Sequence, residues 1–109
     1  MPERQDFRAA TDGLDALDSL LQHRGRLGVC VLLSTADRLS FARLRELLKE
    51  TDGNLGALLR KLEDTGYISA DKVFERRKPV TWYALTHHGR SALKRHLGGL
   101  EQVLRSAKV

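Results

Sequence analysis

Asn54, Arg60 and Lys61 fall within one short stretch, Thr51 to Gly66, and their side chains suit one kind of chemistry. An asparagine amide matches adenine N6 and N7, an arginine fork matches guanine O6 and N7, and a lysine supplies charge for a phosphate. Gly53, Gly56 and Ala57 are interleaved with them. Residues without bulk let a backbone approach a ligand closely. A second cluster, Arg76-Arg77-Lys78, places three consecutive cations where phosphates could be met. Groupings for catalysis are missing. The chain has no Ser-His-Asp arrangement, no glycine-rich phosphate loop and no conspicuous carboxylate pair, so an enzyme is not expected and no cofactor is implied.

The elements that must position these residues follow from spacing. Leu55, Leu58, Leu59 and Leu62 recur at i, i+3, i+4 and i+7, the apolar stripe of a helix. At about 100° per residue the opposite face carries Gly53, Ala57, Arg60 and Asp64, flanked by Asn54 and Lys61 on one side and Gly56 on the other. Glycine inside a helix costs roughly 1 kcal/mol against alanine. A face that met only water would carry large solvating residues instead. The helix is expected over 52–64, capped by Asp52 and stopped at Gly66 as a C′ glycine.

Before it, Ser40 caps a helix with Phe41, Leu44, Leu47 and Leu48 on one side and Arg43, Arg45 and Lys49 on the others. Two amphipathic helices across so tight a turn make a helix-turn-helix. After Gly66 the composition turns β-branched and aromatic in Tyr67–Phe74 and Val80–Leu85, which predicts a hairpin over 67–85. Its connection, Glu75–Pro79, has a basic tip and no apolar side chain, and is expected as a wing. Trp82 and Tyr83 point to opposite faces, so one of them belongs to the core.

Residues 1–10 are expected as a flexible tail and 11–109 as one domain. Asp12 caps a first helix bearing Leu14, Leu17, Leu20 and Leu21, which ends near Gly25. A buried second helix, Arg24 to Thr35, follows. Thr86 caps a last helix over 86–107, whose Leu93, Leu97, Leu100 and Leu104 have the 4-3-4 spacing of a heptad seam. Gly98-Gly99 are expected to kink or loosen it. The seam can pack on the first helix of its own chain or on the same helix of a second chain. The second is expected, because so small a monomer offers little surface for so long a stripe. Leu14, Leu17, Leu21, Leu93, Leu97, Leu100 and Leu104 are therefore the candidate dimerisation residues, which makes the fold mainly α with a small β-hairpin and a dimer interface of terminal helices.

The net charge is +5 and is segregated. Residues 1–23 hold two arginines against five carboxylates, whereas residues 24–109 hold seventeen Lys and Arg against nine Asp and Glu. A basic body with an acidic leader points to a polyanion met by the body. Cys30, the single cysteine, lies in the apolar run Leu27–Leu33 and is read as a core residue rather than a redox sensor. No disulfide can form within the chain, no stretch is long enough to span a membrane, and no signal-peptide pattern opens the sequence. A cytoplasmic location is expected. His87, His88 and His96 lack the i, i+4 spacing of zinc ligands on a helix and are read as helix-start and solvated residues, so no metal is expected.

Three pieces in this order resemble a known family. Asp52-Gly53-Asn54-Leu55 with Leu59-Arg60-Lys61-Leu62-Glu63 and Gly66-Tyr67 is similar to the recognition helix of winged-helix transcriptional regulators. Arg76-Arg77-Lys78-Pro79 with Thr81-Trp82-Tyr83 looks like their wing and third strand, and Leu85-Thr86-His87-His88-Gly89-Arg90 resembles the Leu-Thr-x-x-Gly-Arg signature opening their dimerisation helix. The nearest group is the compact single-domain family related to MarR-type and ArsR-type regulators, and the resemblance covers about residues 14–97. It implies a homodimer on a pseudo-palindromic DNA operator. Asp52, Gly53, Asn54, Ala57, Arg60 and Lys61 would face the major groove, and Arg76, Arg77 and Lys78 a flanking minor groove or phosphates. A small-molecule effector is not indicated by any residue. Each feature also has a plainer use: Arg60 can pair with Asp64, Asn54 can help cap its helix, and the basic tip can keep a sheet edge soluble. The rival reading is a winged-helix protein adaptor without sequence-specific DNA binding.

Overall fold

The leucine stripe of residues 55–62 is the centre of the core in the computed structural model, which describes residues 7–109. Among those residues the elements run α1 (Arg8–Asp15), a short 3₁₀ turn (Ser19–Gln22), α2 (Arg24–Ser34), β1 (Leu39–Ser40), α3 (Phe41–Leu48), α4 (Asp52–Asp64), β2 (Ile68–Glu75), β3 (Lys78–Leu85) and α5 (His87–Ser106). Leu55, Leu59 and Leu62 are essentially inaccessible and pack with Leu21, Val29, Cys30, Leu33, Leu44, Ile68, Tyr83 and Leu93. Each such leucine contributes roughly 1.5–3 kcal/mol relative to exposure. Gly25, expected as a helix stop, lies in the first turn of α2, where a Cβ would meet Leu58 Cδ1 at 2.6 Å. Its lack of a side chain lets α2 come close to α4.

Local signals fix the helix ends. Ser40 caps α3 as expected, its hydroxyl accepting from the Arg43 amide at 3.1 Å. Thr51, rather than Asp52, caps α4. Its hydroxyl accepts from the Asn54 amide at 3.1 Å, and Asp52 stands one residue later as an acid in the first turn, favourable against the helix dipole. The far end is a Schellman motif: Gly66, at φ 81°, donates to Glu63 O, and Tyr67 donates to Leu62 O. The two-residue β1, which periodicity could not reveal, pairs with β3 through Leu39–Tyr83 and Ser40–Trp82 and makes the sheet three-stranded, order β1-β3-β2.

At the N-terminal end the expectations need correction. Residues 1–6 of the expected tail lie outside the described residues, and Arg8–Ala10 are already helical. The first helix does not run on to Gly25. It stops at Asp15, and Asp18 caps the separate 3₁₀ turn by accepting from the Leu20 amide at 2.9 Å. The break lets α1 fold back on α5 within the chain. Gly13 and Gly99 form the crossing, since a Cβ on Gly99 would lie 2.6 Å from Gly13 O and one on Gly13 would lie 2.9 Å from Gly99 O. Gly98-Gly99 therefore do not kink α5, which runs unbroken to Ser106. Gly99 serves close packing instead. Leu21 and Leu93, grouped with the dimerisation residues by the heptad reading, are buried in the chain's own core, whereas Leu14, Leu97, Leu100 and Leu104 remain exposed and Leu17 is half-buried against Gly99.

His96 corrects another expectation, being 1% exposed rather than solvated. Its Nδ1 accepts from the Asp18 amide at 2.9 Å. Asp18 also accepts from the Tyr67 hydroxyl, so one residue links the arm of α1 and α5 to the end of α4. Burial chiefly, then the bond to Asp18, pushes the Tyr67 phenol up to about 12. Burial, with Asp18 adding to it, pushes the Cys30 thiol up to about 11, as a core cysteine requires.

The Leu-Thr-x-x-Gly-Arg segment has a local explanation. Thr86 caps α5 by accepting from the Gly89 amide at 2.9 Å, and its own amide and hydroxyl donate to Tyr67 O at 3.0 and 3.1 Å. Gly89 lies directly over that same carbonyl, with no room for a Cβ. Replacing Gly89 with alanine should destabilise the fold by about 2–3 kcal/mol, because backbone must move to make room. Urea unfolding of the variant tests this, and an unchanged midpoint would contradict the packing described.

Candidate nucleic-acid interface

With the leucines of α4 turned inward, its other face is left to solvent. Asp52, Gly53, Asn54, Ala57, Arg60 and Lys61 are all exposed, so the structure brings the six helical candidates together on the outside of one helix. The two glycines on this helix face open space. A Cβ built on Gly53 or on Gly56 would meet nothing within 4 Å. No contact within the chain requires either residue, and both cost helix stability. Arg60 makes no ion pair with Asp64 among the described residues, so the plainer use expected for it is not taken. Its charge is felt by Tyr83, whose hydroxyl is pushed up by burial and by Glu63, with Arg60 acting the other way.

Asp52 is the odd member, an acid on a face suited to polyanions. It is paired at 2.7 Å with Arg45 of α3, seven residues earlier. Both groups are largely exposed, so the pair adds little to stability. Its effect is to lessen the negative charge beside Asn54 and to fix a second guanidinium at the helix-turn-helix. Sequence reasoning placed Arg45 on an outer face of its helix without seeing that pairing, because the turn geometry sets it. Lys49, at the end of α3, takes the left-handed conformation (φ 55°) that the tight turn requires. Along the edge of this face that adjoins α2, His23, Arg26, Glu50, Asn54, Ala57 and Leu58 line an open depression of about 440 Å³. His23 is oriented there by its own backbone role, since its Nδ1 accepts from the Gly25 amide at 3.1 Å and caps α2.

The hairpin is tighter than its composition suggests. Glu75 pairs directly with Lys78, so the strands take in residues expected for the loop and only Arg76 and Arg77 turn. Both have positive φ, 50° and 66°. A two-residue hairpin of the I′ kind needs that geometry, and Asn-Gly is the pair that adopts it with least strain. Arginine here costs on the order of 1 kcal/mol at each position. Arg76, Arg77 and Lys78 are all exposed at the tip. Tyr83 is the core member of the Trp82-Tyr83 pair. Trp82 lies on the other face, where its indole N–H donates to Glu75 at 3.1 Å and the Arg38 guanidinium sits 4.0 Å from the ring centroid. Arg38, from the polar break before β1, was not legible as part of this region, since nothing in the sequence spacing links it to residue 82.

Comparison with known proteins agrees with this architecture. Residues 26–104 match the family described as winged helix DNA-binding domain. An uncharacterised protein of Methanocaldococcus jannaschii is 33% identical over 72 residues, covering 66% of this chain and 78% of its own. The structure of a transcriptional regulator homologue from Pyrococcus horikoshii superposes with a TM-score of 0.82 at 26% identity, over 94% of this chain and 99% of that one. A MarR-family transcriptional regulator from Streptomyces coelicolor, solved in complex with DNA, gives a TM-score of 0.68 at 25% identity, over 93% and 70% of the two chains. No helix among the described residues is long and apolar enough to cross a membrane. With a helix-turn-helix followed by a hairpin wing, and with most of its length matched, this chain belongs to the winged-helix DNA-binding domain family and is MarR-like in fold.

Proposed function

We propose that the protein is a sequence-specific, double-stranded DNA-binding transcriptional regulator that acts as a homodimer on a pseudo-palindromic operator in the cytoplasm. The observation that carries this reading is the outer face of α4, where Gly53 and Gly56 stand in open space beside exposed Asn54, Arg60 and Lys61. A duplex entering that face would meet a backbone it can approach closely and side chains that read base edges. The Arg76-Arg77-Lys78 tip would rest on a flanking minor groove or on phosphates. Exposed Leu14, Leu97, Leu100 and Leu104 on the arm are available for a second subunit. Two-fold symmetry would then set half-sites about one helical turn apart.

Three experiments follow. Selection from a random duplex library should enrich a near-palindrome. No enrichment would favour the protein-adaptor reading. Replacing Arg76-Arg77 with Asn-Gly should raise thermal stability, because the turn geometry is relieved, while it weakens DNA binding and makes the salt dependence shallower by roughly one to two in log–log slope. A more stable variant that binds as well as wild type would reduce the basic tip to a solubilising edge. The pair Gly53→Ala and Gly56→Ala should stabilise the fold by roughly 1–2 kcal/mol in total yet lose DNA affinity. Unchanged affinity would mean that nothing comes close to this face.

A further inference from the structure

The hairpin reaches beyond the core that supports it. On the core-side face of β2 and β3, Ile68, Ala70, Tyr83 and Leu85 pack against the helices. Farther along, the same alternation carries Lys72 and Phe74 on β2 and Thr81 and Pro79 on β3. Phe74 is 73% exposed, and Pro79, directly opposite, is exposed too. Glu75 and Lys78 close the two-residue turn as a hydrogen-bonded pair, so Phe74 and Pro79 form the non-hydrogen-bonded pair beside it. Side chains approach most closely in such pairs, and a proline there gives up no ladder bond. The pair suits its place in the hairpin, yet most of an aromatic residue stays in water. The fold forgoes the stabilisation that burying a phenylalanine brings.

The surroundings of this residue are cationic. Arg76, Arg77 and Lys78 lie at the turn and Lys72 stands two residues back on the same face, all exposed. Glu75, the neighbouring acid, projects to the opposite face, where it accepts from Trp82. A stable protein interface takes about 800 Å² from each partner, which two apolar residues among four cations do not supply. One large apolar side chain flanked by cations is instead the make-up of minor-groove binders that press a wedge between base steps and kink the duplex. We propose that Phe74 is such a wedge. The turn cations seat the wing on the minor groove, and the ring enters between two base pairs and unstacks them. This rests on the DNA-regulator reading and adds to it a base-contacting residue and a bend in the operator. Pyrimidine–purine steps unstack most easily, so the operator flanks under the wings favour TA or CA/TG.

The test uses the full chain on an operator selected from the random library, with 2-aminopurine placed in turn at the flanking steps. Stacking quenches the fluorescence of that base, so it brightens where a step is opened. Wild type should brighten the probe at one flanking step on each side. Phe74→Ala should abolish the brightening and weaken binding about tenfold. Its salt dependence should keep the wild-type slope, because no charge is removed, in contrast to the change at Arg76-Arg77. Phe74→Leu keeps an apolar wedge and should retain most of the brightening, which separates the wedge from any general loss of folding. A probe that stays dark at every flanking step under tightly bound wild type overturns the wedge alone. So does a Phe74→Ala variant that brightens the probe and binds as wild type does, and the patch would then be left to a protein partner. A library from which no operator is enriched overturns the regulator reading, and the wedge with it.

Discussion

Tyr67 ties the helix that carries the outward glycines to the arm that carries the exposed leucines. Its amide closes the Schellman motif of α4, and its carbonyl receives Thr86 and lies under Gly89 at the start of α5. Its hydroxyl donates to Asp18, which holds His96 by its amide and caps the turn that folds α1 back. Tyr67 thus joins the end of α4 to two segments distant in sequence, the start of α5 and the Asp18 turn, and through Asp18 to His96. The direction of α4 relative to α5 cannot change without breaking several of these bonds at once. In a dimer joined through the arms, that rigidity would set the separation of the two outward helix faces.

The helical glycines divide into two groups by what surrounds them. At Gly13, Gly25, Gly28, Gly89 and Gly99 a side chain would collide with another part of the chain, and each marks a place where two elements approach closely. Gly56 and Gly98, inside their helices, and Gly53, in the first turn of α4, have empty space in front of them. Helix propensity opposes glycine at those three positions. They lie on the α4 face proposed for DNA and on the α5 face proposed for a second chain. The strained Arg76-Arg77 turn belongs with them, because its sequence is poorer for folding than Asn-Gly and richer in charge.

Much of this was readable from the sequence because the signals are local and periodic. The leucine stripe of α4, the Ser40 and Thr86 caps, the stop at Gly66 and the basic hairpin each depend on residues a few positions apart. What was not readable depends on tertiary contact. A strand of two residues, Leu39–Ser40, has no period and exists by pairing with β3. Asp12, expected as a cap, lies inside α1, whereas Asp18 caps the following turn and is held there by His96 and Tyr67. The 4-3-4 leucine spacing of α5 does not show which leucines face inward. The core takes Leu93, while α1 covers the face that bears Gly99. The same limit applies to the candidate interface: the α4 face was legible, but the Arg45–Asp52 pair and Arg38 over Trp82 were not.

The central claim is that the outer face of α4 lies in a DNA major groove, and methylation interference at guanine N7 on a selected operator tests it most directly. N7 projects into the major groove, so a methyl group there obstructs a helix seated in it and leaves the minor groove untouched. The account predicts interference at guanines in two clusters about one helical turn apart, related by the operator's symmetry. Binding that tolerates N7 methylation throughout the operator would contradict it, and the small face of α4 would then need another occupant.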